Sequence, residues 1–561
     1  MKKNKLIVIL CLIFLLGISF FLRTYRLNQN IPNLYVDEVA GTYNTLYSPN
    51  TNSISQLDLS AKSLSGLSHF TWLFSFTPLG ARSAAAFYGS FISLLVLLFS
   101  YAIAKKIYPT KSFAIAIISG LLAAVLPWSF MISRIGHSSV PIIVLLVCLH
   151  LITLINANNT LRYFLSLIPL GLSVLYYPSL VIIAPIGALL TFILMTSKFD
   201  LPKKRKWWLG FLVIFISMVV IGITRYQILN TKSRGFDLAI WRDINVTADS
   251  NYYRGLSRLS TPTIFSFNID TETVANKLLF NYPISVINTF TKNYLSFFSP
   301  DFLFLKGDNI LRHSTGTVGE FFPILLPFMI FGAFEFFKKA DTKLKAIFLV
   351  WILVSPIPAA ITKDGATYLL RVITLMPFLT YFCSQGIVSS LGIFKKIYQK
   401  VIFGTFVVLL GIIATYNFLF SYFHVYPSLS ASHWEYGFKE ISEFQIQNPG
   451  KMLIIWEDKY PVWYFCFWQK LPGSTCDQNK MINSETVNSS RIDLPIPNLL
   501  FSLPQSKTDL NTIISKYNPK YLVIPIKYEM DFQDIEKNKK VLETIKYPDQ
   551  TTAFTILKVN N

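Results

Sequence analysis

LIVILCLIFLLGISFFL, residues 6–22, directly follows the lysines Lys2, Lys3 and Lys5 near the amino terminus. About 20 apolar residues in a helix cross the ~30 Å hydrocarbon core of a bilayer. The run is long for the apolar part of a signal peptide, and no small-residue cleavage site follows it. We therefore predict an uncleaved signal anchor whose amino terminus lies inside the cell.

The whole chain shares this apolar character. Of its 561 residues, 52% are hydrophobic and only 14% are charged, and the mean hydropathy is +0.45, far from the average of soluble proteins. The pattern predicts a multi-span α-helical membrane protein with about eleven crossings. The predicted spans lie at 6–22, 82–103, 112–132, 138–156, 161–177, 179–197, 207–225, 319–337, 346–361, 366–390 and 401–422.

The net charge of +21 does not indicate nucleic-acid binding, because Lys and Arg gather in short loops on alternate sides of the spans, as the positive-inside rule expects. The clusters are Lys105/Lys106/Lys111, Lys198 with Lys203–Lys206, Lys338/Lys339/Lys343/Lys345 and Lys395/Lys396/Lys400. This alternation predicts a multi-pass protein of the cytoplasmic membrane, with the amino terminus inside and the carboxyl-terminal tail outside.

The predicted topology divides the chain into a membrane domain, residues 1–425, and an extracytoplasmic α/β domain, residues 426–561. Two further outer segments, 23–81 and 226–318, share the outer face with the tail. Chemistry is expected on this face.

The tail changes composition abruptly. Strand-like runs at 452–456, 521–525 and 553–557 alternate with helix-like stretches such as 436–445, which predicts an α/β domain. Cys466 and Cys476 form a disulfide if the tail faces an oxidising compartment and remain free thiols otherwise.

Asp37 and Glu38 stand together in the first outer segment, and after Asp58 the next acidic residue is Asp200. Neighbouring side chains on a helix point about 100° apart, so the two acids do not easily serve one atom. One is expected to act as a base and the other as a scaffold; alternatively the pair only solvates a loop. Amphipathic stretches at 39–47 and 64–76 are expected to lie in the membrane interface and frame a cavity.

Three other outer segments carry charge next to a span. Arg134 and His137 follow the third span, where a guanidinium suits a phosphate or carboxylate, or reaches lipid headgroups. The segment 306–313 carries Asp308, Arg312 and His313, with a mixture of Gly, charge and amide that is typical of a structured loop. The segment 356–371 carries Lys363, Asp364 and Arg371, in which Arg371 contacts a ligand or pairs with Asp364.

In this order the residues resemble the membrane glycosyltransferases of the C-type fold, in particular bacterial relatives of protein O-mannosyltransferases and aminoarabinose transferases. The matching features are the Asp-Glu pair after the first span, Arg-x-x-His after the third, Gly-Asp-x-x-x-Arg-His before a later span, and Pro-x-Pro-Ala-Ala-x-Thr followed by Arg. The resemblance covers about residues 1–425 and leaves the tail outside.

The resemblance implies transfer of a monosaccharide from a polyprenyl-phosphate donor to an acceptor hydroxyl of a protein, lipid or polysaccharide on the outer face. It gives Asp37 the role of general base and Glu38 that of a positioning or cation-contacting group. Relatives often carry an acid directly after the third-span histidine, where this chain has Ser138 and Ser139, so a divalent cation is in question and no metal ligands are assigned.

Direct displacement by the acceptor predicts inversion at the anomeric carbon. Positively charged residues are expected to stabilise the charge on the departing phosphate. The expected phosphate-binding residues are Arg371, Arg134, Lys363 and Arg312, and the expected positioning residues are His137, Asp308 and His313. In the tail, Trp456, Trp463 and Trp468 either stack on sugar faces or belong to a core.

Two other functions share these features. A flippase or transporter for lipid-linked glycans is expected to carry ionisable residues near the middle of the bilayer and often two related halves, which this chain does not clearly show. An envelope polysaccharide polymerase or ligase uses the same kind of donor with a larger glycan.

Overall fold

The computed structural model describes residues 2–31, 33–47, 73–198, 210, 238–259, 278–457, 460–476, 484–488, 490–528 and 540–559. The predicted span at 207–225 except residue 210, most of the amphipathic stretch at 64–76 and the basic residues at 203–206 lie outside the described residues.

Apolar helices make up the first part of the chain. In order they are α1 Lys2–Thr24, α2 Val36–Tyr47, α3 Pro78–Ser90, α4 Ile92–Ile107, α5 Ser112–Val125, α6 Pro127–Ile132, α7 Ser139–Ile155, α8 Thr160–Val174 and α9 Leu180–Lys198. The predicted span 112–132 is divided between α5 and α6, because Leu126 precedes a proline and is held extended, with φ −64° and ψ 142°. The predicted break at Tyr177-Pro178 separates α8 from α9.

The second group of helices begins after a gap in the described residues. It comprises α10 Ile244–Leu259, α11 Tyr282–Ser296, α12 Leu326–Lys339, α13 Thr342–Val354, α14 Ile357–Ala360, α15 Leu369–Val372, α16 Met376–Leu391, α17 Ile397–Phe420 and α18 Tyr426–Ser430. The span predicted at 319–337 starts later than expected, because residues 319–322 form an irregular segment before Pro323.

Five helical stretches of the described chain are long and apolar enough to cross a membrane, and four shorter apolar helices accompany them. Their inward faces form one continuous apolar core that includes Trp128, Phe348, Trp351 and Phe378. The predicted class, a multi-span helical protein with an α/β tail, is confirmed.

The tail contains a seven-stranded sheet in the order β2-β3-β4-β1-β5-β7-β6. Its strands are β1 Met452–Ile455, β2 Ser484–Val487, β3 Ser490–Ile496, β4 Leu499–Ser502, β5 Tyr521–Pro525, β6 Lys540–Lys546 and β7 Thr552–Lys558, and its helices are α19 Phe438–Gln447, α20 Val462–Trp468 and α21 Lys507–Tyr517. Strands β4, β1 and β5 are parallel, and the other pairs are antiparallel. The three predicted strands and the predicted helix are confirmed.

Helix α2 packs against the tail. Its Val39 and Tyr43 share an apolar cluster with Phe438, Trp463 and the rest of α20. The Tyr43 hydroxyl donates to the Leu471 carbonyl at 2.6 Å. Because Val39 and Tyr43 are buried in this contact, the amphipathic face of α2 covers protein.

The segment of the tail that α2 contacts is closed by a disulfide between Cys466 and Cys476, whose Cα atoms are 6.2 Å apart. Both cysteines are buried. The sequence left open whether these cysteines form a disulfide or remain free thiols, and the structure has the disulfide. Trp463 is only 5% exposed and belongs to the core, which favours the core role for this tryptophan.

Candidate functional site

Glu38, in the first turn of α2, is held by four hydrogen bonds. Arg82 at the start of the α3–α4 span donates through Nε to Oε1 at 3.1 Å and through Nη2 to Oε2 at 2.7 Å. The backbone N–H of Gly136 donates to Oε1 at 2.5 Å, and that of Tyr35 donates to Oε2 at 3.0 Å. Glu38 and Arg82 are both buried. Since a carboxylate has about four acceptor positions, Glu38 is fully bonded and acts as a scaffold.

Asp37 has the opposite surroundings. Its side chain is exposed, and within the described part of the chain no hydrogen bond or ion pair reaches its carboxylate. It lies in the first turn of α2, near the positive end of the helix dipole. Asp37 therefore offers an exposed carboxylate that has no partner among the described residues.

His137 lies beside this carboxylate, in the loop between α6 and α7. Burial lowers the pKa of His137, Asp37 and Glu38 act in the opposite sense, and His313 and Arg312 lower the pKa further. Five residues from three separate parts of the chain thus lie within electrostatic range of one another.

Arg312 lies between the first outer segment and the start of the tail. Its guanidinium stands 3.7 Å from the centre of the Tyr35 ring, and its Nη1 donates to the His433 carbonyl at 3.2 Å. Arg312 is half-buried and forms no ion pair within the described residues. Its charge therefore remains available close to Asp37.

Asp308 and His313 form a buried pair. The Asp308 Oδ2 lies 2.8 Å from His313 Nδ1 and also accepts from the Leu369 N–H at 2.8 Å, while Oδ1 accepts from Ile310 N–H at 2.8 Å. These bonds fix the orientation of the imidazole and tie the 306–320 loop to the start of α15.

Glu320 lies beneath this pair and accepts at Oε1 from the Asp308 N–H at 3.2 Å. Burial raises the pKa of Glu320 well above its ordinary value, and the neighbouring Asp308 raises it further. Gly307, at φ +80°, makes the turn above it, where a Cβ would lie 2.8 Å from Glu320 Oε1. A glycine is needed there for conformation and for space.

Arg371 pairs with Asp364, the alternative that the sequence left open. Its Nη1 donates to Asp364 Oδ1 at 2.7 Å and to Thr362 Oγ1 at 2.5 Å, and its Nη2 donates to Asp364 Oδ2 at 3.1 Å. Although burial raises the pKa of Asp364, the hydrogen bonds and charge of Arg371 outweigh it, and the net pKa is lowered. Lys363 next to the pair is exposed and forms no ion pair within the described residues.

Tyr368 connects the two loops. The Arg371 guanidinium lies 4.1 Å from the centre of its ring, and the His313 ring meets it edge-on with centroids 5.1 Å apart. The structure thus brings together Asp37, Glu38, His137, Arg312, His313 and Asp308, with Arg371 and Lys363 adjoining them through Tyr368.

Arg134 has different contacts from those expected of a phosphate-binding residue. It is 0% exposed and donates through Nη1 to the Leu22 and Arg23 carbonyls at 2.9 and 3.1 Å and through Nε to the Tyr422 hydroxyl at 2.9 Å. These bonds close the carboxyl end of α1. Arg134 is therefore a structural residue in this arrangement.

Sequence reasoning missed Arg82 and Tyr464. The Tyr464 hydroxyl of α20 lies 2.7 Å from the Leu34 carbonyl oxygen and 2.9 Å from Glu435 Oε2 and shares its one proton between these acceptors, which fixes the chain just before α2. The sequence does carry a signal for Arg82, because a charged residue at the end of an apolar run indicates a candidate functional residue. Tyr464 had none, because it lies 430 residues from its partner.

The donor set does not fit a divalent cation at Glu38. All four acceptor positions of that carboxylate are occupied by N–H groups, and no group of three or more His, Cys, Asp or Glu side chains suited to a metal ion occurs within the described ranges. The expected cation-contacting role of Glu38 is therefore not supported by its contacts.

No protein-family profile and no curated protein sequence matches the chain. Among solved structures, it is similar to the oligosaccharyltransferase of Archaeoglobus fulgidus in complex with zinc and sulfate, with 14% identity over 97% of this chain and 72% of the other and a TM-score of 0.48. It is also similar to ArnT from Cupriavidus metallidurans bound to undecaprenyl phosphate, with 11% identity over 98% and 97% of the two chains and a TM-score of 0.45.

Proposed function

We propose that this protein is a membrane glycosyltransferase of the C-type fold that moves a monosaccharide from a polyprenyl-phosphate donor to an acceptor hydroxyl at the outer face of the cytoplasmic membrane. The observation that carries the proposal is the exposed carboxylate of Asp37, which no described residue pairs with, beside a fully bonded Glu38. The order of outer-loop motifs described above supplies the reaction class.

Asp37 is the proposed general base. It takes the proton of the acceptor hydroxyl as that oxygen attacks the anomeric carbon, while the bond from that carbon to the phosphate oxygen breaks and polyprenyl phosphate leaves. Attack opposite the leaving group inverts the anomeric centre. General-base help of this kind contributes about 10²–10⁴-fold.

The departing phosphate needs positive charge close to it. Arg312 and Lys363 are the most available cations, because neither forms an ion pair within the described residues. Arg371 becomes available only when a phosphate replaces the Asp364 carboxylate in the fork of its guanidinium, an exchange between two anions that this geometry suits.

His137 and His313 are proposed to position the substrates. Asp308 orients the His313 ring through the 2.8 Å hydrogen bond between its Oδ2 and Nδ1, which leaves Nε2 for a substrate. The lowered pKa of His137 keeps its ring neutral at pH 7, able to accept or donate a hydrogen bond to a hydroxyl.

The test compares wild type with Asp37→Asn, purified in detergent, on labelled polyprenyl-phosphate monosaccharides with acceptor extracts supplied. The readout is release of polyprenyl phosphate. We expect a loss of at least about 100-fold, and Asp549→Asn, which removes an exposed tail carboxylate, is the matched control.

Activity of Asp37→Asn within about threefold of wild type would remove Asp37 as the base. No release from any monosaccharide donor would overturn the monosaccharide transferase. Release only from lipid-linked oligosaccharides would then favour a polymerase or ligase, and transbilayer movement without a new glycosidic bond would favour a flippase.

A separate measurement tests which residues bind the donor phosphate. Lys363→Gln and Arg371→Gln are expected to raise the apparent KM for the donor, with Lys306→Gln, an exposed lysine of the neighbouring loop, as the control. If neither variant changes KM or kcat, these residues do not hold the phosphate.

A further inference from the structure

The carboxyl end of α7 gathers lysines from three other helices. Lys106 near the end of α4 donates through Nζ to the Ile155 carbonyl at 2.7 Å, and Lys343 in the first turn of α13 donates to the Leu154 carbonyl at 2.7 Å. Lys198 at the end of α9 donates to the Ala157 carbonyl at 3.3 Å. Lys106, Lys198 and Lys343 are called the lysine cluster below.

Among the residues that the structure describes, the cluster carries more positive charge than its neighbours neutralise. Within the described residues, no carboxylate forms an ion pair with Lys106 or Lys343, and the other two lysines repel Lys343. Asp341 attracts Lys343, and its Oδ1 accepts from the Leu344 N–H at 2.7 Å.

The α7 terminus contributes only roughly −0.5 charge. Arg162, in the first turn of α8, adds a cation that bonds at 3.4 Å to the Asn156 carbonyl. Even with Lys198 left out, an excess of roughly 1.5 positive charges remains when Asp341 and the helix end are counted. Each ammonium has three donors. Those of Lys343 bond to the Leu154, Ile155 and Ala157 carbonyls, so Lys343 contributes its charge, whereas Lys106 bonds to one carbonyl and keeps two donors for a ligand.

An exposed apolar surface begins at the same place. Leu161, Leu165 and Ile168 lie on one face of α8, since they are spaced by four and three residues, and they are 64%, 44% and 57% exposed. On α9, Leu189 and Ile193 are 51% exposed. A molecule with an anionic head and apolar chains therefore fits both surfaces at once.

We propose that the lysine cluster binds the phosphate of an anionic phospholipid headgroup, whose acyl chains lie along the exposed faces of α8 and α9. The positive-inside pattern puts this site in the inner leaflet, where anionic lipids are attracted to basic segments next to spans and basic pockets between spans bind their headgroups. The site is independent of the outer-face chemistry.

The test is binding of phosphatidylglycerol to the delipidated full-length protein in detergent, followed by native mass spectrometry and by the shift in thermal unfolding. Phosphatidylcholine with the same acyl chains and inorganic phosphate are the comparison ligands. We expect binding of phosphatidylglycerol to be about thirtyfold weaker in Lys106→Gln/Lys343→Gln, and to weaken in wild type as salt rises.

Lys395→Gln/Lys400→Gln removes the same charge from another loop predicted to lie inside and is expected to bind like wild type. Lys106→Arg/Lys343→Arg keeps both charges and is expected to retain binding. It provides a second comparison if the glutamine variant does not fold. Equal binding of phosphatidylcholine, an equal effect of inorganic phosphate alone, or unchanged binding after loss of both charges would each overturn the proposal.

Discussion

The two adjacent acids of the first outer segment have different surroundings because other parts of the chain supply partners to one of them. Arg82, Gly136 and Tyr35 together fill the acceptor positions of Glu38, while Asp37 points to solvent. The sequence predicted that one acid would be a scaffold. It could not predict which donors hold it, because Arg82 is 44 residues away and nothing local indicates the pairing.

The buried ion pair between Glu38 and Arg82 gives a stability prediction. Arg82→Met leaves the Glu38 carboxylate buried without a counterion, and we expect a loss of about 3–5 kcal/mol, measured by unfolding in detergent. Glu38→Met/Arg82→Met is expected to recover part of that loss, because no unpaired charge remains. Glu457→Gln, which breaks an exposed ion pair with Lys527 in the tail, should cost less than about 1 kcal/mol; equal losses would contradict the assignment.

The lowered pKa of His137 predicts that the stability of the protein depends on pH. Its pKa is lowered in the folded protein, so between its ordinary value of 6.5 and the lower folded value the unfolded chain binds more protons. Stability is therefore complete above pH 6.5 and falls as the pH drops below it. Thermal unfolding at pH 7.5 and 5.5 should show a smaller pH difference in His137→Gln than in wild type; an unchanged difference would exclude His137 as its source.

Helix α2 is positioned by contacts on opposite sides. Arg82 holds its first turn to the membrane helices, and the disulfide-closed segment of the tail holds its later turns through Tyr43 and Tyr47, whose hydroxyls donate to the Leu471 and Lys470 carbonyls. The disulfide is thus part of the support of the helix that carries Asp37.

Removal of this disulfide should loosen α2. For Cys466→Ala/Cys476→Ala we expect a stability loss of about 2–4 kcal/mol and faster hydrogen exchange at residues 36–47, measured by mass spectrometry. Exchange in β5 serves as the internal reference. Unchanged exchange in α2 would show that the disulfide does not support it.

The elements that the sequence predicted well are those with a strong local signal. The apolar runs and the three buried strands of the tail carry such a signal, and Pro178 marks the predicted break between α8 and α9. The break before Pro127 was not predicted, because the apolar run continues through it. Strands β2 and β6 were not predicted, because most of their residues are exposed and lack an apolar run. Arg134 was expected to bind a phosphate or lipid headgroups. Its buried contacts were not predicted, because Leu22 and Tyr422 become its neighbours only through tertiary packing.

For the molecule as a whole, the predicted topology places the lysine loops and the tail on opposite sides of the membrane. In intact cells, with Cys11→Ser as the background, a membrane-impermeant maleimide should label Lys546→Cys in the tail. Lys395→Cys should be labelled only after permeabilisation. The reverse pattern would overturn both the topology and the outer location of the proposed active site.

The bond from the Tyr464 hydroxyl to the Leu34 carbonyl joins residues 430 positions apart. At translation rates of about 5–20 residues per second, the two partners are synthesised roughly 20–90 s apart. During that interval α2 lacks its contacts with the tail, so a nascent chain carries Asp37 before Asp37 is held in place. The contacts that hold α2 are therefore completed only after α20 has been synthesised.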